Sequence, residues 1–140
     1  MKFYHNILFI ALFSLVLLAC KKSALDYVSE NSPAAGGVML TKGNFMRSSH
    51  STSGIARIVK DSANRRFLVF ENFSTDNGPD LRVWLSKNTS AAQYQEVGKL
   101  TAVSGNFSYE LAANIDPVVY NHVLIWCEDF SVLFGYAVLQ

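Results

Sequence analysis

Cysteine is nearly absent from this 140-residue chain: there are two, Cys20 and Cys127. That scarcity excludes a disulfide framework of several bridges, and with no Cys-x-x-Cys or Cys-x-x-Cys-His it leaves thioredoxin-like exchange and covalent c-type haem unsupported. No His-Glu-x-x-His, glycine-rich phosphate loop or nucleophile elbow occurs, and no carboxylate pair stands out, so a metal centre is not expected and hydrolysis ranks last among the functions considered. Charge of one sign is lacking too, with 12 Lys plus Arg against 11 Asp plus Glu. No basic run exceeds Lys21-Lys22 and Arg65-Arg66, so nucleic-acid binding has no electrostatic footprint.

What is present begins at the N-terminus. Lys2 precedes an apolar run over 7–19, broken only by Ser14, and the run ends in Leu17-Leu18-Ala19-Cys20. A charged start, a short apolar core and a small residue before the cleavage point make a secretory signal. Thirteen residues are short for a membrane span, which needs roughly 20. The last four resemble a lipobox. That resemblance implies cleavage after Ala19, a diacylglycerol thioether on Cys20 and acylation of the new amino group. At about 0.8 kcal/mol per buried methylene, more than one acyl chain holds a protein stably on a membrane. The expected localisation is therefore the cell envelope of a bacterium, and Lys21 after Cys20 leans toward the outer membrane.

Removing 1–19 leaves 121 residues, a length suited to one domain. It also removes Lys2, so the remaining 11 basic and 11 acidic side chains balance. Residues 20–37 are small and polar, with Pro33 and Gly36-Gly37 as breakers, and read as a tether. As a flexible coil its reach is roughly 20 to 25 Å. Leu25, Tyr27 and Val28 could instead dock as a short edge strand.

Residues 38–140 form the expected domain. Strand patterns appear at 55–60, 66–73, 80–85, 95–100, 106–111, 120–127 and 132–139. Asp76-Asn77-Gly78-Pro79 and Ser104-Gly105-Asn106 are among the turns between them. Seven to eight short strands indicate an all-β fold, an antiparallel β-sandwich or small barrel. The runs 123–127 and 132–139 are apolar on both faces, as central strands are, and the four residues between them suit a hairpin. The polar stretch 86–93 is the expected mobile loop.

If Cys20 carries lipid, Cys127 has no partner within the chain. Sharing parity with Val123 and Ile125, it should point with them into the core. It is either a buried small hydrophobe or a functional thiol, whose thiolate Glu128 and Asp129 would disfavour. A single thiol requires a mixed disulfide, a sulfenic acid or a bound centre to do redox work. His122 lies five residues away on the opposite face, about 16 Å along an extended strand. His50 could fold against Cys127 or Asp80, or simply face solvent. In Asn77-Gly78-Pro79-Asp80, Gly78 is expected to supply an unusual φ, with Asp80 holding backbone amides or acting as an orienting carboxylate.

Several segments resemble the DM13 domain, in that family's order: Gly78-Pro79-Asp80-Leu81-Arg82-Val83-Trp84-Leu85, Gly105-Asn106-Phe107-Ser108-Tyr109, Val123-Leu124-Ile125-Trp126-Cys127 and Phe134-Gly135-Tyr136-Ala137-Val138. His50-Ser51-Thr52-Ser53-Gly54 resembles its opening. The resemblance runs from about 43 to 139. It implies an all-β extracytoplasmic domain with a proposed role in electron transfer and Cys127 as the redox residue; His50, Asp80 and Trp126 are the candidate neighbours of that site. No cofactor is named by the sequence. The partners implied are a membrane, reached through lipid on Cys20, and a redox protein. The alternative is a non-catalytic binding or envelope-assembly lipoprotein whose motifs only specify fold. Neither reading requires independent enzymatic activity.

Overall fold

The structure, a computed structural model, describes residues 36–140. The lipobox, Cys20, Lys21 and all but the last two residues of the tether lie outside those residues, as does the possible edge strand at Leu25, Tyr27 and Val28. The described chain is all-β, with eight antiparallel strands in one nearly closed, barrel-like sheet. The strands are β1 (Val38–Arg47), β2 (Thr52–Lys60), β3 (Arg66–Thr75), β4 (Leu81–Ser86), β5 (Tyr94–Lys99), β6 (Ser104–Leu111), β7 (His122–Cys127) and β8 (Val132–Val138). Their order is β5-β4-β7-β8-β1-β2-β3-β6.

Seven strands fall where alternation and turn residues place them; β1 does not. Only Phe45 in it is buried, and Gly43 interrupts it, so its sequence carries no two-residue period. Its position comes from its neighbours. The N-terminal part pairs with β2, then Phe45, Met46 and Arg47 pair with Ala137, Tyr136 and Gly135 of β8. One strand thus joins the two halves of the sheet, and at the crossing a Cβ on Gly43 would sit 2.7 Å from the Val138 carbonyl carbon. Only glycine fits so close to another backbone.

The hairpins follow local chemistry. Between β2 and β3 the Asp61 carboxylate accepts from the Ala63 and Arg65 amides at 2.9 Å each, while Asn64 takes φ 63°, a position asparagine tolerates. The β7–β8 turn closes through Ser131 N–H to Glu128 O at 3.3 Å. Ser86 ends β4 fully buried and does not belong to the loop expected at 86–93; its hydroxyl donates to Gln93 O at 3.0 Å and ties the neck of that loop.

Inside the barrel, alternate residues of the central strands meet. Phe45, Phe70 and Phe73 pack with ring centroids 5.0 Å apart, a separation favourable for aromatic pairs. Val123, Ile125 and Cys127 of β7 join them, as their shared parity requires. Leu124, on the outward face, is equally buried opposite Trp84 and Tyr136, so β7 is covered on both sides. The seam between the edge strands is bridged by Tyr109 of β6, whose hydroxyl accepts from Thr101 N–H at 2.8 Å and donates to Lys99 O at 3.2 Å. Burial raises the Tyr109 pKa above its ordinary value, with the hydrogen bonds from Thr101 opposing it.

Candidate functional site

Four connections gather at the pole where β7 ends: 48–51, 76–80, 100–103 and 128–131. Backbone hydrogen bonds lace them. Ser48 and His50 N–H donate to Phe134 O at 2.9 and 3.1 Å, Asp76 N–H to Ser51 O at 3.2 Å, and Glu128 N–H to Asp80 O at 2.9 Å. Cys127 stands just inside, opposite Leu81 on β4 and Val132 on β8. It is 0% exposed and is a free thiol among apolar side chains. Burial of that kind suits a small hydrophobe.

His50 does not meet Cys127 or Asp80 through its ring. Its Nδ1 is 3.3 Å from Asp76 Oδ2, which also accepts from Ser51 N–H at 3.1 Å. The imidazole lies flat on Phe134, with centroids 3.8 Å apart and planes at 26°. The carboxylate partner is therefore Asp76, four residues before the one expected. Asp76 stood in the turn motif, but nothing in the sequence told which of its two aspartates faces the 48–51 connection.

Asp80 is engaged elsewhere. Its carboxylate takes Nε and Nη2 of Arg82 at 2.8 and 2.9 Å, a two-pronged pair, with Lys99 Nζ at 3.9 Å. The hydrogen bond from Arg82 holds the Asp80 carboxyl below its ordinary range, against some desolvation. Arg82 also reaches Glu96 at 2.8 Å. The orienting-carboxylate role for Asp80 is thus replaced by a surface ion-pair network.

Gly78 serves a different purpose from the one expected. Its φ is not positive; the left-handed glycines are Gly36, Gly54, Gly98 and Gly105. What excludes a side chain there is space, because a Cβ would lie 2.9 Å from both Leu81 Cδ2 and Phe134 Cζ. The Gly78 N–H donates to Asn77 Oδ1 at 3.0 Å, and Pro79 follows with its φ fixed. Gly78→Val is expected to cost about 1 to 3 kcal/mol through overpacking, against about 0.5 kcal/mol or less for Lys87→Ala on the surface. Matched denaturant melts measure the difference; equal midpoints would mean that the turn yields freely.

Trp126 points outward, one residue before Cys127. It stacks on Trp84, which stacks on Tyr94. Sequence reading missed this stack, since Tyr94 follows an irregular connection whose register no pattern declares. His122 is on the same outward face of β7, bonded to Asn121 at 2.8 Å, and desolvation lowers its pKa below the usual value. Among the described residues no group of three or more His, Cys, Asp or Glu is placed to hold a metal ion.

Comparison with known protein families matches residues 44–139 to DM13, described as electron transfer DM13. No curated protein and no solved structure shows significant similarity to the chain. The matched stretch begins inside β1, ends just after β8 and spans more than half of the sequence, so the chain belongs to the DM13 family.

Proposed function

We propose that this protein is a lipid-anchored lipoprotein of the bacterial cell envelope, held through Cys20 at the outer membrane, whose DM13 domain exchanges electrons with a redox protein partner. Family membership carries the redox half of this reading. The apolar run ending in Ala19-Cys20 and the polar stretch that follows support the anchor. Cys127 is the thiol centre of the proposal, being the one cysteine among the described residues, at the pole where four connections meet. Closed as it is, that pole denies a protein disulfide access to the sulfur. Thiol chemistry at Cys127 therefore needs a small oxidant or an opening of the 128–131 turn.

The burial of Cys127 equally supports the second reading, a binding or envelope-assembly lipoprotein in which the cysteine fills the core. An absorption spectrum and a redox titration of protein purified from the native envelope separate the two. A chromophore or a reversible redox couple supports electron transfer, and the lack of both assigns the domain to binding. The anchor is tested independently. Cys20→Ser is expected to abolish incorporation of a fatty-acid analogue and leave uncleaved precursor; equal label in both chains would remove the lipoprotein assignment.

A further inference from the structure

The outward face of β5, β4 and β7 carries three aromatic rings in a row. Tyr94 and Trp84 have centroids 3.7 Å apart with planes at 11°, and Trp84 and Trp126 are 5.0 Å apart at 20°. Strand register sets the row: Tyr94 is opposite Ser86, Trp84 opposite Leu124, and Trp126 opposite Arg82. The middle ring is buried, while Tyr94 is 39% exposed and Trp126 is half-buried. Trp84 Nε1 is itself buried and has no hydrogen-bond partner.

An unpartnered indole N–H in such a place costs desolvation free energy. We propose that Trp126, Trp84 and Tyr94 form a one-electron relay along the outside of the barrel. A one-electron oxidant takes an electron from Trp126, leaving its radical cation. Trp84 then gives an electron to Trp126, and Tyr94 gives one to Trp84 while its hydroxyl proton passes to water. The net change is one electron to the oxidant, one proton to solvent and a neutral phenoxyl radical at Tyr94. With no acceptor at Nε1, the Trp84 radical cation cannot be trapped by losing its proton inside the stack. Exposed Tyr94 ends the route where water takes the proton. The relay rests on the electron-transfer reading of the domain but not on the Cys127 thiol.

Both tryptophans of the chain belong to the stack, so an oxidant that prefers indoles, such as the azide radical, places most of its holes there. In pulse radiolysis of the full chain in detergent, the indolyl absorption is expected to decay as a phenoxyl absorption grows, at one first-order rate independent of protein concentration. Tyr94→Phe should abolish the phenoxyl growth and prolong the indolyl signal. Tyr136→Phe, on the same face but outside the row, should change neither. Phenoxyl growth that persists in Tyr94→Phe, or that scales with protein concentration, would overturn the relay. A working relay in a protein that exchanges no electrons with any envelope component would instead overturn the electron-transfer function and leave the relay standing.

Discussion

Gly135→Val is expected to be the most damaging single substitution in the described domain, lowering stability by about 3 kcal/mol or more. A Cβ at this position would overlap the Thr52 side chain and lie 2.8 Å from the Met46 carbonyl oxygen. Thr52 has little room to retreat. It is buried, and its hydroxyl pairs with that of Thr75 at 3.0 Å, which in turn reaches Ser51 O at 3.2 Å. The backbone cannot retreat either, because Gly135 forms one of only three rungs joining β1 to β8. Those rungs unite the two halves of the sheet, so relief of the clash loosens the whole barrel. For a domain whose total stability is of the order of 5 to 15 kcal/mol, the loss is large. Denaturant melts should show a lower midpoint with the slope unchanged. Combining Gly135→Val with Thr52→Gly should recover part of the loss, and strict additivity of the two would show that Thr52 is not the obstacle.

That dependence on close approach explains how much of the fold could be read in advance. Strands such as Arg66–Thr75 and His122–Cys127 declare themselves because each residue's burial is set by its own alternation or by a continuous apolar run. β1 is defined by what crosses it, and glycines at 43 and 135 are the trace of that crossing in the sequence. A glycine inside a strand signals close backbone approach, but only the assembled sheet says to which neighbour. Gly78 makes the same point, since its role is set by Phe134, fifty-six positions further along.

The site was legible in composition and less so in geometry. Cys127 faces the core as the parity with Val123 and Ile125 requires. His50 and Asp80 lie on connections at the same pole, yet each takes another partner, Asp76 and Arg82 respectively. Charge pairing at a loop-covered pole depends on how the connections pack, and no period encodes that. The aromatic row was hidden for a related reason. Its rings come from three strands, and the bulge between Val83 and Trp84 shifts β5 against β4, so the alignment of Tyr94 with Trp84 follows from a register that local sequence does not fix.

Cys127 gives the sharpest division between the two functional readings. In the closed barrel Cys127→Ala removes only a sulfur from a packed interior, and the expected cost is about 1 kcal/mol through a small cavity. Cys127→Ser should cost more, about 1 to 3 kcal/mol, because it sets a hydroxyl among Leu81, Ile125 and Val132. The nearby Asp80 carbonyl already accepts from Glu128 N–H, leaving it less able to rescue the new group. A bulky thiol reagent should modify the native protein far more slowly than the denatured one, at a rate set by opening of the pole. Peroxide is small enough to test the thiol itself: one equivalent converts the thiol to sulfenic acid and releases one water. Trapping that sulfenic acid in the native chain, with the signal lost in Cys127→Ser, would keep Cys127 as the redox residue. Native protein that yields no sulfenic acid, while its denatured form reacts freely, would make the cysteine a core filler and move any electron transfer by this domain to its outer face.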